Sequence, residues 1–435
     1  VGGRRCGSAR CGRRPPSLLA SPPQVVDALA CSRTPPHAAH YTAFYSSELG
    51  GVTTEPGLFV VHADDHAFHR GHAVFDTCEI IEGHTYALDA HLARFFASAD
   101  AARLALPFSR AQVRRVILET AAAGRAMDGH VRYWLGAGRG GFGLSMRECG
   151  APSLFVVAYR RAAAPPPVDP AGVAVKSATC VPPPDALLAT TKTTNYLRHA
   201  LALAEAEDAG CAHAVFVDAD GNVTDGVTAT PGIITPAGEL VIPPTDAGLA
   251  GCTAARVLEL LPQVRREGVA PREQRTRPPR SEDTNHTPSF TRATGPERQL
   301  IASTSLYRPL EGGGWGGGRG PRARPTTPSF PPCPSLSFLQ WLDECPDLRD
   351  AIRTVSRRRL PVGEARTAAH AFLLGSATRV APVTRWDDAE IGGGAPTTAV
   401  LRLRELLDRD RDPVEGDGTQ HVQVPYGVLT GMVVE

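Results

Sequence analysis

The sequence predicts an α/β fold built in two units, and three patterns carry that expectation. Short runs alternate apolar and polar residues, as strands do, for example from Ala73 to Ile81. Longer stretches place apolar residues at helical spacing, for example Leu92, Phe95, Phe96, Ala99, Ala102 and Leu104. A Pro- and Ala-rich linker over 162–172 separates the two groups of such segments.

The first unit is expected over 41–161. A short apolar strand is read at Leu58 to Val61 in GLFVVHADDHAF. AVFDTCEIIEGHTYAL reads as two strands around a turn at Glu82-Gly83. DAHLARFFASADAARLAL follows as a helix that Asp89 can cap. RAQVRRVILETAAAG is a second amphipathic helix, and HVRYWLGAG and SLFVVAYR return to strand. The second unit opens at 173 with the strand in GVAVKSATC. The helix YLRHALALAEAEDAG comes next, then a hairpin turning at Asp220-Gly221 and a strand pair around Ala237-Gly238. GLAGCTAARVLELL turns from a Gly-containing loop into a helix that ends this part near 261.

Residues 262–346 differ in character. RTRPPRSEDTNHTPSF and EGGGWGGGRGPRARPTTPSFPPCPSL are rich in Pro, Gly and Arg and low in apolar periodicity, so they bury too little to order themselves. They read as a disordered insertion, or else as an Arg-rich binding loop. Looping out is thermodynamically tolerable at about 0.6 kcal/mol per doubling of loop length. Globular signals return over 347–427. Residues 1–40 read as a tail without structure. The Arg-rich start, with no acid before Asp27, fits an organelle transit segment.

The net charge of +1 and pI near 7.7 give no global pull toward nucleic acid or a membrane. Ten cysteines carry no CxxC pair and no zinc spacing, so they read as reduced thiols of an intracellular protein. No apolar run is long enough to span a bilayer.

The chain has 46 Lys plus Arg, and only Lys176 and Lys192 are lysines. Arginine forms no imine under ordinary conditions, whereas a deprotonated lysine does. One of the two lysines is therefore a candidate for carbonyl chemistry; the alternative is that both are solvated survivors of an arginine-rich composition. Lys176 sits in an alternating strand, an ordinary place for a solvated edge lysine. Lys192 sits among small uncharged residues, where burial would lower its pKa and leave room for a ligand. Three other features suit the same chemistry. Asp225, just after a strand, suits the protonated ring nitrogen of pyridoxal phosphate. The turn GLAGCTAAR suits a phosphate, with Thr253 as N-cap. Arg94 offers that phosphate a fixed positive partner.

The chain resembles the class IV (fold-type IV) pyridoxal-phosphate enzymes, which include branched-chain and D-amino-acid aminotransferases and aminodeoxychorismate lyases. Within them it is most similar to the plant chloroplast-type D-amino-acid transaminase group. DDHAFHRGHAVFDTCEI, LDAHLARFFASA, VRYWLGAGRGGFGLS, KTTNYL, GNVTDG, LAGCTAARVLEL, LLGSATRVAPVTRWDD and HVQVPYG carry the resemblance in the family's order. They cover Tyr41 to Leu261 and Ala351 to Tyr426. The resemblance implies a small α/β domain, a larger domain with a β-barrel-like core, and a homodimer. It implies that Lys192 forms the Schiff base with the cofactor and acts as general base. Arg94, Cys252, Thr253, Ser376 and Ala377 would surround the phosphate, and Asp225 the ring nitrogen. Phe75 would lie near the substrate, and Arg139 is the available cation on that side, with His69 and His72 undecided.

Three positions depart from the family's pattern. Asp225 stands where Glu is usual, Thr230 where Asn is common, and Ala377 where a hydroxyl or small residue is found. The implied activity is transamination between an amino acid, D-alanine-like or branched-chain, and a 2-oxo acid. The alternatives are a lyase releasing 4-aminobenzoate and pyruvate, or an inactive relic. A plastid location is implied by the plant group and by the amino-terminal composition.

Overall fold

The computed structural model describes residues 22–31, 40–161, 171–181, 183–261, 265–267, 345–413 and 420–427. All fall in one of the chain's two compact units, residues 1–269 with 332–435. Most of the expected insertion, and the transit reading except for a helix at Pro22–Cys31 (α1), lie outside the described residues.

The first sheet has seven antiparallel strands: β1 (Tyr41–Ser46), β2 (Gly51–Thr53), β3 (Ala73–Ile81), β4 (His84–Tyr86), β5 (Gly129–Gly136), β6 (Ser153–Arg160) and β18 (His421–Gln423). Their spatial order is β18-β4-β3-β5-β6-β1-β2, so the chain's last described strand closes one edge. Glu82 and Gly83 link β3 to β4 with φ of 46° and 77°, the pair of positive values that a tight hairpin requires. Leu58 to Val61 is not a strand. Pro56–Leu58 forms a 3-10 turn instead, since Pro pre-sets φ for a turn and offers no N–H to a ladder.

A single helical turn, α2 (His66–His69), precedes β3 and is capped by the Asp65 side chain. Helices α3 (Leu88–Ala101) and α4 (Arg110–Gly124) cover one face of the sheet. Leu88, Leu92, Phe95, Phe96 and Ala99 form the buried stripe of α3 at helical spacing. Each large side chain so buried contributes roughly 1.5–3 kcal/mol. Ala87, not Asp89, is the N-cap of α3; Asp89 lies in the first turn, where its charge suits the helix dipole, and it pairs with Arg114 at 3.1 Å. A Ser109–Gln112 capping box starts α4.

The second sheet is built from β7 (Val173–Ser177), β8 (His213–Val217), β9 (Asn222–Gly226), β10 (Thr230–Ile234), β11 (Glu239–Ile242), β12 (Arg265–Glu267), β13 (Thr354–Arg357), β14 (Leu360–Pro361), β15 (His370–Gly375), β16 (Arg379–Trp386) and β17 (Ala389–Glu390). It runs β12-β13-β11-β10-β15-β16-β7-β8-β9-β14, with β17 on β16. Parallel and antiparallel pairs mix, and β9 lies close to β10, so the sheet curls toward a half-barrel. β7 is interior, between β16 and β8, so Lys176 is no edge residue; its amine lies 3.6 Å from Asp387.

Helices α5 (Ala186–Thr190) and α6 (Leu197–Asp208) lie between β7 and β8 in the chain. Helices α7 (Cys252–Leu260), α8 (Pro346–Ala351) and α10 (Thr398–Arg411) pack on the second sheet around one apolar cluster, while the short α9 (Val362–Arg366) follows β14. Leu261 and Cys345 both belong to that cluster.

Candidate active site

Lys192 lies on the segment between α5 and α6, and that segment is stitched to the first sheet. The Phe75 amide donates to the Lys192 carbonyl at 2.9 Å, and the Thr194 amide donates to the Ala73 carbonyl at 3.0 Å. The Lys192 amide in turn donates to Ser98 Oγ of α3 at 3.1 Å. Asn195 Nδ2 donates to the Gly71 carbonyl at 2.9 Å, and a Cβ on Gly71, whose φ is +62°, would strike that Asn195 side chain. Backbone pairing thus fixes where the lysine starts, and the small neighbours in ATTKTT leave its amine room.

That amine opens into a cavity of about 570 Å³ between the two sheets. Nζ lies 4.8 Å from the centre of the Phe75 ring and 5.9 Å from that of Tyr196. Burial, reinforced by Arg94, lowers its pKa to about 8, against the opposing pull of Asp76 and Asp225. About a tenth is free base at pH 7, far more than for an ordinary lysine, as suits a nucleophilic amine.

Asp225 lies near the end of β9 and faces the same cavity. Its two oxygens accept from the amides of Gly226 and Leu249, both at 2.9 Å. Burial raises its pKa to about 6 despite those bonds and the nearby cations. It is a held carboxylate at neutral pH.

Around the start of α7 the cavity wall has the makings of an anion cradle. The N-cap of α7 is Gly251 rather than Thr253, with no side-chain cap, so the amides of Cys252 and Thr253 are the first of the helix. A side chain is excluded there, since a Cβ on Gly251 would lie 2.6 Å from Thr230 Oγ1. Arg94 joins the cradle from α3: it donates to the Ala250 carbonyl at 3.1 Å and grips Asp76 with two bonds of 2.8 Å. Ser376 and Ala377, on the turn from β15 to β16, complete the rim.

One cavity therefore gathers Lys192, Arg94, Asp225, Cys252, Thr253, Ser376, Ala377 and Phe75. Arg139 is elsewhere: its guanidinium makes two bonds of 2.8 Å to Asp64 and does not line this cavity. A carboxylate nearby in the fold outcompetes a distant pocket for that exposed cation. The cation on the wall is Arg132 of β5, whose Nε donates to Thr77 Oγ1 at 2.8 Å and whose guanidinium lies 5.6 Å from the Phe75 ring centre. His72 Nε2 donates to the Ala102 carbonyl at 3.0 Å, and His69 packs near Phe142; neither lines the cavity.

Sequence reading missed Asp76, His91, Arg132 and Tyr196. Asp76 and Tyr196 carried a weak signal, next to Phe75 and four residues after Lys192. Arg132 is found only through the register that sets it opposite Thr77.

The sequence model of the family Amino-transferase class IV matches residues 73–279. The chloroplastic D-amino-acid transaminase of Arabidopsis thaliana is 40% identical over 231 residues, 53% of this chain and 61% of that protein. The chain thus spans about three fifths of that relative's length. A putative branched-chain-amino-acid aminotransferase of Methanocaldococcus jannaschii is 30% identical over 207 residues, 47% of this chain and 69% of that protein. The chain belongs to the class IV aminotransferases. Its fold is theirs: the branched-chain amino acid aminotransferase from Escherichia coli superposes with a TM-score of 0.61 at 15% identity, over 88% of this chain and 99% of that one.

The donor set fits pyridoxal phosphate. A low-pKa amine, a carboxylate and an anion cradle stand around one cavity, and the cradle is shaped by a glycine that admits no Cβ. Among the described residues no group of His, Cys, Asp and Glu is arranged to hold a metal ion, and no helix is long and apolar enough to cross a membrane.

Proposed function

We propose that the protein transfers amino groups between an amino acid and a 2-oxo acid with pyridoxal phosphate as cofactor. The observation that carries the proposal is the convergence of Lys192, Asp225 and the Arg94 cradle on one cavity. When bound, the cofactor supplies a carbonyl for amines and a ring that takes up the electron pair left by a broken Cα–H bond. Lys192 would anchor it through Nζ. The same Nζ, once free, is the base that accepts the substrate's Cα proton and returns it to the other reacting carbon. Asp225 would keep a proton on the ring nitrogen. Phe75 and Tyr196 flank the amine and keep water from it. Arg132 is the cation suited to a substrate carboxylate.

D-amino acids such as D-alanine are the proposed substrates, supported by the name of the Arabidopsis relative; branched-chain amino acids come next, supported by the archaeal one. A lyase acting on aminodeoxychorismate is the second reading. The Mycobacterium tuberculosis relative named bifunctional aminodeoxychorismate lyase / D-amino acid transaminase favours it, at 29% identity over 65% of that protein. A plastid location and a homodimer are proposed with it, the first on the relative's printed name and the amino-terminal composition.

The test is the absorption spectrum of the protein with pyridoxal phosphate, before and after D-alanine and L-leucine. Conversion of the cofactor band to that of the pyridoxamine form by one of the two supports transamination and names the substrate class. A band that no amino acid shifts, with pyruvate released from aminodeoxychorismate, supports the lyase. Failure to bind cofactor at all would refute both and leave an inactive relic.

A further inference from the structure

His91 lies behind the anion cradle. It is 2% exposed and does not line the main cavity, yet it shares a small enclosed space with Cys252, Thr253 and Ser376. Its Nδ1 is 2.9 Å from Asp76 Oδ1, and its Nε2 is 3.4 Å from Ser376 Oγ. Asp76 is fully buried and also holds Arg94, so one carboxylate fixes two groups spaced i, i+3 on α3.

The consequence is directional. Held against the buried Asp76 carboxylate the ring is cationic and both nitrogens donate, Nδ1–H to Asp76 and Nε2–H toward Ser376 Oγ, with the Cys252 thiol as a second neighbour. A hydroxyl that accepts there must aim its own O–H elsewhere, and the open side is the cradle. We propose that His91 is a positioning residue for phosphate recognition: anchored by Asp76, it orients the Ser376 hydroxyl toward the cofactor's phosphate. The inference rests on the pyridoxal-phosphate reading of the site.

Electrostatics agree. Burial by itself would favour neutral imidazole, but Asp76 and Cys252 outweigh it and raise the ring to about 9. The cationic ring thus offsets the Asp76 carboxylate and leaves the charge of Arg94 uncompensated. Asp76 stays ionised well below the usual carboxylate range, because Arg94 and His91 overcome its burial. The Cys252 thiol is pulled down by His91 and Arg94 against its own burial, which shows how cationic this end is. With Asp76 offsetting one of the two cations, the group keeps a net positive charge that suits a phosphate.

The test compares pyridoxal phosphate with pyridoxal, which lacks the phosphate, by spectrophotometric titration of the apoprotein. His91→Leu is expected to weaken pyridoxal phosphate by about tenfold or more and to leave pyridoxal within about twofold. His91→Gln, which keeps a donor near Nε2, should recover part of the loss. Ser376→Ala supplies the cycle: with the hydroxyl gone, His91→Gln should add little further loss. Circular dichroism of each apoprotein checks folding, and if His91→Leu does not fold, the Gln and Ala variants carry the test. Equal weakening of both ligands, or strictly additive losses in the cycle, would overturn the proposal. If the unaltered protein binds neither ligand, or if Lys192→Ala still gives the cofactor band of the parent, the reading of the site itself fails.

Discussion

The Phe75 amide donates to the Lys192 carbonyl at 2.9 Å, while the Phe75 ring sits 4.8 Å from the Lys192 amine. The same residue thus helps to fix the lysine's backbone, together with Ala73 and Ser98, and forms part of the wall around its side chain. The Lys192 amine belongs to the linker between α5 and α6, but its position is set by pairing with β3 of the first sheet and by Ser98 of α3.

Lys192→Ala is expected to abolish turnover. In the proposed mechanism the amine that anchors the cofactor is also the base, and losing a positioned base alone costs on the order of 10²–10⁴-fold. Single-turnover spectra with each enantiomer of alanine measure it; an active variant would remove Lys192 from the chemistry.

At Asp225 the charge matters more than the length. Asp225→Ala should slow the half-reaction by at least about tenfold more than Asp225→Glu, a difference of about 1.4 kcal/mol. Both oxygens already accept backbone amides, so the longer side chain must give up one of those bonds to fit. A Glu variant faster than the parent would show that the shorter carboxylate reaches the ring nitrogen poorly.

The pH profile follows from two shifted groups. Lys192 loses its proton near 8 and Asp225 near 6, so the reaction of the apoprotein with pyridoxal phosphate should rise through about pH 8. The linkage has opposite signs in two windows. Between about 8 and the ordinary lysine value the unfolded chain holds more protons at Lys192, so that group's contribution to stability rises with pH. Between the ordinary aspartate value and about 6 the folded chain holds more protons at Asp225, so its contribution falls with pH. The chain has only two lysines, Lys176 and Lys192. Methylation with ¹³C-formaldehyde therefore gives two lysine signals, and one should titrate near 8. Two signals with ordinary values would contradict the burial argument.

Arg132→Met should raise KM for the amino acid about tenfold with a smaller effect on the chemical step, as expected for a lost charged bond to the carboxylate. Arg139→Met should change KM little, because its guanidinium is already committed to Asp64. Steady-state kinetics of the two variants decides between them, and the reverse order would restore Arg139 to the substrate.

Away from the site, Ser109→Ala removes the side-chain half of the α4 capping box and should cost about 1 kcal/mol of stability. Urea denaturation followed by circular dichroism reads it, and an unchanged midpoint would mean that α4 is held by packing alone.

Local pattern marks most of the elements and the candidate chemistry, though not the turn at Pro56–Leu58 or the caps of α3 and α7. Periodicity marks α3, α4 and α6, the Glu82-Gly83 turn marks the β3–β4 hairpin, and the scarcity of lysine singles out Lys192. These properties depend on neighbours a few residues away, which the sequence displays directly. Which groups meet is a matter of packing. Gly251 rather than Thr253 caps α7, because the chain turns helical already at Cys252, and the nearness of Thr230 Oγ1 favours a residue without a Cβ there. Arg132 rather than Arg139 faces the cavity, because strand register and a nearby carboxylate settle where each cation points. Asp76 and His91 acquire their roles only when β3, α3 and the Ser376 turn close around one another. Contacts between residues hundreds of positions apart depend on packing and register, and one sequence records neither.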